Sequence, residues 1–457
     1  MQLERAPAFQ YEREPMPRRL PAWDHFSRRL VWSALTAPWR ILREGRRQLT
    51  AYEWRVVAVL GTANFIDSYD VAILGLALPQ IQEGLGIEEG AVGALTAVIR
   101  LGVLPAVLFT LLADSLGRRR LLLITILGFT GATFATAFSG DAAQFAALQF
   151  IARMFIVAEG MLAVVVIAEE IRARYRGWGI GVLSAFGTLG HGLASVIFAV
   201  VDYLPYGWRA LYALGVLPLL LIAWFRRSLR ETRRFVAYQE QQLVAQEPAW
   251  RQALAPVGRL VRMYPGRLVA LCAALFPVAF TLDAALIFVS KTLQQVHGYA
   301  PGQVTLLFLT VGVTAPVGNI VAGWLGDRWG RRRVLVWAML ANGLGVAGFY
   351  NLSGVGVPLA FGVMLLSLQI VSPLFAALGA ELFPTSYRST ASGVRQVVTT
   401  IGGACGLWVE GQLYGYLGTH TAAITALLIA LPIAPLIVWL FLPETANREL
   451  EEVAPEK

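Results

Sequence analysis

From Val56 to Leu442 the chain repeats one pattern, a run of apolar residues long enough to cross a bilayer followed by a short polar or charged connection. A hydrocarbon core about 30 Å thick is crossed by about 20 residues at a rise of about 1.5 Å each. Within one such run only a helix satisfies its own backbone N–H and C=O groups. The sequence therefore predicts an all-α integral membrane protein with spans near 55–79, 90–112, 120–138, 142–167, 178–201, 208–225, 268–291, 301–323, 334–351, 355–379, 389–414 and 420–442, twelve transmembrane helices in all. Composition excludes a soluble domain: 56% of the 457 residues are hydrophobic and 15% charged, against roughly a quarter charged in soluble proteins. Prolines inside the runs, such as Pro277 and Pro373, are tolerable where neighbouring helices re-satisfy the freed backbone. Cys272 and Cys405 sit in separate apolar runs. They predict packed free thiols, with no disulfide framework and no metal site.

The formal charge of +9 is spread over short clusters between the apolar runs, so it predicts membrane topology and no nucleic-acid partner. Nearly all the basic residues are Arg, and Lys291 and Lys457 are the only lysines. Connections at 113–119, 168–177, 226–267, 324–333 and 380–388 carry Arg; those near 80–89, 139–141, 293–300, 352–354 and 415–419 carry none. The positive-inside rule places the first group in the cytoplasm. Both termini then face the cytoplasm, in a multi-pass protein of the plasma or inner membrane that is expected to be monomeric. Residues 1–53 form a basic N-terminal segment without the layout of a secretory signal. Within it Trp23–Leu42 reads either as an amphipathic surface helix or as a basic tail.

The connection 226–267 is the longest, and Gln239–Gln246 within it reads as a helical surface segment. It divides the chain into halves at 54–225 and 268–442, followed by a tail at 443–457. An internal repeat supports the division. Asp114 with Gly117-Arg118-Arg119-Arg120 recurs as Asp327 with Gly330-Arg331-Arg332-Arg333, at an offset of 213. Ala168-Glu169 with Tyr175-Arg176 recurs as Ala380-Glu381 with Tyr387-Arg388, at an offset of 212. Glu231-Thr232 recurs as Glu444-Thr445, and Asp70 maps onto Asp283, both at 213. Parallel halves of this kind are a known plan for transporters.

These residues resemble the major facilitator superfamily across the hydrophobic span. Gly323-Trp324-Leu325-Gly326-Asp327-Arg328-Trp329-Gly330-Arg331-Arg332-Arg333 resembles that superfamily's loop between the eighth and ninth spans at every position. Its counterpart between the second and third has Asp114, Gly117 and Arg118, with Thr110 at the usual glycine and Ser115 at the usual basic position. Ala380-Glu381-Leu382-Phe383-Pro384-Thr385-Ser386-Tyr387-Arg388 and Pro443-Glu444-Thr445-Ala446-Asn447-Arg448 resemble the branch of sugar porters, organic-ion carriers and aromatic-acid:proton symporters. Asp67-Ser68-Tyr69-Asp70 resembles the paired-aspartate signature of its aromatic-acid, niacin-like and phosphate symporters. The seventh span, Phe276–Thr292, lacks the glutamine-rich contact of sugar porters, and Gly179–Gly192 lacks the glycine-proline pattern of drug:proton antiporters. The resemblance implies two six-helix bundles with a solute cavity between them. It also implies a cytoplasmic gate of ion pairs from Asp114, Arg118, Glu169 and Arg176 and their repeats Asp327, Arg328, Arg331, Glu381 and Arg388.

Ionised groups near the middle of a bilayer cost several kcal/mol each, so each one needs a partner, a cavity or a proton. Asp67 and Asp70, three apart, project from one helical face. Desolvation and like charge favour a proton there, which makes the pair a proton-coupling candidate with Asp283 and Glu159. The plainer reading is that one Asp pairs with an Arg or caps a broken helix. Arg100 and Arg153 can each grip a carboxylate by a two-point fork, or form a standing pair, Arg153 with Glu159 or Arg100 with an Asp. His191 titrates in a useful range, but it also reads as a packed donor. Tyr69 and Trp408 are aromatic candidates for the cavity wall, and Arg395 and Glu410 read as gate or rim residues.

The expectation is proton-coupled symport of a small organic anion, in which protonation at Asp67/Asp70 frees an Arg to hold the substrate carboxylate. Protons are the coupling ion and no other cofactor is expected. A uniporter or exporter of neutral or cationic solutes is the alternative, for which the intramembrane acids speak. A sensor that binds without transporting is a third. No nucleophile–base set, metal spacing or phosphate loop points to an enzyme.

Overall fold

The computed structural model describes residues 49–111, 117–172, 175–216, 257–312, 314–384 and 387–446. The basic segment with Trp23–Leu42, Asp114, Gln239–Gln246, Glu231 and the tail from Asn447 lie outside them.

Helices occupy all twelve expected spans among the described residues, the sixth over 208–216 only. In the first half these are α1 (Ala51–Leu76), α2 (Leu78–Leu85), α3 (Ala91–Leu101), α4 (Val103–Leu111), α5 (Arg118–Thr136), α6 (Ala142–Glu170), α7 (Arg176–Phe198) and α8 (208–216). In the second they are α9 (Pro265–Ile287), α10 (Pro301–Gly312), α11 (Thr314–Trp329), α12 (Arg331–Asn351), α13 (Gly356–Glu381), α14 (Arg388–Leu417), α15 (His420–Leu427) and α16 (Ile433–Phe441). The α9 rod continues through Val289–Lys291 and one wide turn at Thr292–Val296. Seven helical segments among the described residues are long and apolar enough to cross a membrane alone. Among the remaining spans, α3 and α4 are divided at Gly102, α5 opens on Arg118-Arg119-Arg120, and α14 carries Arg395 and Glu410 within it.

Local chemistry sets the helix ends. α1 begins at Ala51, four residues before the apolar run, because Thr50 and Glu53 form a capping box: Thr50 Oγ1 accepts from Glu53 N at 3.2 Å, and Thr50 N donates to Glu53 Oε2 at 2.8 Å. Asp141 opens α6 by accepting from Gln144 N at 2.8 Å. The repeated Gly-Arg-Arg-Arg motifs become the same turn in each half. Gly117 and Gly330 have φ of 89° and 95° just before α5 and α12, a conformation that disfavours any Cβ.

Within the first half α1 packs on α7 and α5 on α6; within the second α9 packs on α14 and α12 on α13. The halves meet where α3 lies on α14 and α7 on α10. At the first seam a Cβ on Gly93 would sit 2.8 Å from Gly411 N, so backbone meets backbone there. Large apolar side chains such as Phe138, Leu189, Trp337, Leu344 and Phe441 are more than 60% exposed, which suits a surface bathed in lipid.

Candidate functional site

Between the halves lies a cavity of about 350 Å³. Much of its wall is apolar, with Val71 and Ala72 from α1, Ile99 from α3, Leu286 and Ile287 from α9, and Phe308 from α10. Into this wall come Arg100, Arg153, His191 and Ser195 from the first half and Asp283 from the second. Arg100 Nη2 lies 2.7 Å from Asp283 Oδ2, an ion pair that joins the halves across the cavity. The pair is part-exposed to the cavity, at 29% and 20%. The buried Arg100 Nε–H makes no hydrogen bond among the described residues. Gly403 on α14 makes room for the pair: a side chain there would run into the Asp283 carboxylate.

Arg153 stands behind Arg100, within electrostatic reach of Arg100, Asp70 and Asp283. Asp70 accepts from Thr133 Oγ1 of α5 at 3.2 Å and is 3% exposed. Asp67 is equally buried, and Glu159 on α6 is 1% exposed. The paired aspartates therefore sit inside the first half, behind the cavity wall, and Arg100 pairs with Asp283 instead of either of them. His191 faces the cavity and places Nδ1 3.0 Å from Gly187 O. A carbonyl only accepts, so Nδ1 carries a hydrogen and Nε2 is left for the cavity.

Two expected wall residues lie elsewhere. Tyr69 is buried and its hydroxyl donates to Leu211 O at 2.9 Å, tying α1 to α8. Trp408 is 54% exposed and does not line the cavity; the adjacent Leu407 does. One helical residue is a rotation of about 100°, enough to carry a side chain off the wall.

At the arginine-rich end the repeat becomes a repeated ion pair. Arg118 Nη2 lies 3.2 Å from Glu169 Oε1 in the first half, and Arg331 pairs with Glu381 in the second. Arg331 also reaches Asp327 at 3.3 Å. Arg328 lies over the Trp324 ring, and Arg388 Nε donates to Phe383 O at 3.4 Å. Asp114 and the Arg176 side chain lie outside the described residues. A pair absent from the expectation is Glu53 with Arg172, at 3.1 Å.

Sequence reasoning also missed the opposite end. There Gln80 Nε2 donates to Gln294 Oε1 at 2.7 Å, and Ser290 Oγ donates to Leu76 O at 2.6 Å. Lys291 reaches Gln82 and, at 2.5 Å, Glu89. His420 stands between Glu89 and Glu410, which places Glu410 in a buried cluster and not on a rim. Each of these but the His420–Glu410 contact crosses between the halves. The solitary intramembrane lysine was the available signal.

Two helical bundles closing on a charged cavity, with apolar outer faces, define a membrane solute transporter. The profile of the Major Facilitator Superfamily matches the chain at residues 60–301 and again at 269–456, and the chain belongs to that superfamily. The 4-hydroxybenzoate transporter PcaK of Pseudomonas putida is 25% identical, over 85% of this chain and 92% of its own. The shikimate transporter of Escherichia coli is also 25% identical, over 80% and 91%. Among solved structures, the inward-open xylose transporter XylE from Escherichia coli shares the fold, with a TM-score of 0.71 at 17% identity over 88% of this chain and 99% of that one. The chain is thus a multi-pass membrane transporter and not an enzyme.

Proposed function

We propose that the chain is a proton-coupled symporter of a small organic carboxylate, aromatic acids included, working by alternating access with its arginine-rich end in the cytoplasm of a cell with this protein in its plasma or inner membrane. The observation that carries this reading is the Arg100–Asp283 pair, 2.7 Å across the cavity between the halves. A solute carboxylate competes with Asp283 for the same guanidinium. A proton on Asp283 removes the competitor and lets the fork of Arg100 take the solute in its place. Loss of the proton restores the pair and expels the anion. Asp70 and Arg153, next behind the pair, keep the local charge balanced while it changes partners, and His191 Nε2 offers the solute a polar contact.

The apolar wall suits a ring or short hydrocarbon body behind the carboxylate. Two relatives are named for 4-hydroxybenzoate and shikimate, both ring-bearing carboxylic acids, in keeping with this class. The contacts that join the halves at the opposite end fit a conformation open toward the cytoplasm. The within-half pairs Arg118–Glu169 and Arg331–Glu381 are then the parts of a gate that regroup when that end closes.

Uptake of radiolabelled 4-hydroxybenzoate and other monocarboxylates into proteoliposomes, with and without an inward proton gradient, tests the reading. Accumulation should require the gradient. Asp283→Asn should abolish accumulation but leave counterflow exchange, and Arg100→Lys should raise KM about tenfold with less effect on the maximal rate. Uptake indifferent to the gradient, together with normal accumulation by Asp283→Asn and Asp70→Asn, would reject symport.

A further inference from the structure

The imidazole of His420 has a carboxylate oxygen at each nitrogen. Glu410 Oε1 lies 2.6 Å from Nδ1, and Glu89 Oε2 lies 2.8 Å from Nε2. The ring cannot swing out of this line, because Phe288 stacks on it at 4.6 Å and Tyr414 at 4.4 Å. A neutral imidazole has one N–H, so it serves one carboxylate while its bare nitrogen confronts the lone pairs of the other. Both contacts hold only when the trio carries one proton more than a neutral imidazole and two carboxylates do.

The surroundings keep that proton in place. Glu410 is fully buried on α14 and Lys291 is 3% exposed. Lys291 holds Glu89 and Gln82, and Tyr350 of α12 lies within electrostatic reach of Glu410. With the extra proton, two cationic groups face two carboxylates and the cluster is neutral. Without it, a net negative charge is left beside the fully buried Glu410, which is costly. Burial works to raise the Glu89 carboxyl, but hydrogen bonds from Lys291 and His420 outweigh it and hold the group below the ordinary carboxylate range. Glu89 and Gln82 belong to the first half; Lys291, Glu410 and His420 belong to the second.

We infer that closing the halves at this end binds one proton in the Glu89–His420–Glu410 trio, a proton site separate from the cavity. Parting the halves withdraws Glu89. A neutral His420 then satisfies Glu410 with its one N–H, and the extra proton leaves to solvent. The seam therefore closes more firmly as pH falls. This deepens the symport reading, since it ties the occupied proton site to one conformation, but it rests only on the two halves being able to part.

The test uses the full chain in lipid nanodiscs without solute, with Cys272→Ala and Cys405→Ala and spin labels on Glu83→Cys and Tyr416→Cys, two exposed positions on opposite sides of the seam. Pulsed electron resonance then reads the ratio of near to far distances from about pH 5 to about pH 8, the range in which imidazoles change charge. One coupled proton should lower that ratio up to about tenfold per pH unit over part of the range. His420→Gln should flatten the response. Glu89→Gln, at a half-exposed and more tolerant position, should flatten it as well. A ratio that ignores pH in the parent protein, or a response unchanged in both variants, overturns the inference. The measurement needs no solute, so it can fail while gradient-driven uptake succeeds, and the converse.

Discussion

Gly403 leaves no space for a side chain beside Asp283. Overpacking of this kind costs about 1–3 kcal/mol. Gly403→Ala should therefore push the carboxylate off Arg100 and lower carboxylate uptake about tenfold at equal expression, at a decade per about 1.4 kcal/mol. Full uptake by this variant would show that the position of Asp283 does not matter. At Glu89 the sign with pH is fixed by its lowered carboxyl. A group lowered in the closed state contributes at pH above its ordinary value and loses that contribution as pH falls through the lowered one. Mild acid should therefore strengthen the seam through the trio's proton before it weakens the seam through Glu89. The closed fraction should pass through a maximum as the spin-label titration is carried to still lower pH.

At the scale of helices, Glu444 shows what a motif of unstated purpose does. Its carboxylate accepts from Arg331 N at 2.8 Å and from Arg332 N at 3.2 Å, capping α12 where Gly330 turns the chain. Glu444→Gln should lower stability by about 0.5–2 kcal/mol, read as an earlier thermal transition in detergent. The repeated Gly117 and Gly330 motifs were legible because a turn depends on neighbours in sequence, whereas the Glu444 cap comes from 113 residues away and was not. The charged positions Arg100, Arg153 and Asp283 were legible too, since an ionised group in an apolar run stands out against any background. Partnership was not legible. Asp67 and Asp70 share a helix face, but α1 is apolar nearly all round, so no hydrophobic stripe says which way that face turns; packing against Thr133 of α5 decides it. Glu89 and His420 meet from opposite ends of the chain, and nothing in local periodicity brings them together.

Over the whole molecule, the two halves share one set of pairings, Arg118–Glu169 and Arg331–Glu381, and differ in what each brings to the seam. Gly411→Val should wedge α14 away from Gly90 and Gly93 and favour the parted state. Labelling of Ser290→Cys, which is buried at this seam, by an impermeant maleimide should then quicken about tenfold. An unchanged rate would place the hinge elsewhere. The bare backbone at Gly93 and Gly411 has a further consequence. At that one point no rotamer need be exchanged when the surfaces slide or lift, whereas Leu95, Ile99 and Leu407 beside it must repack and the charged contacts must be replaced by solvent. The speed at which this end unseals should therefore respond to acidity and ionic strength through its charged contacts, in addition to the temperature-dependent repacking of the apolar side chains around them.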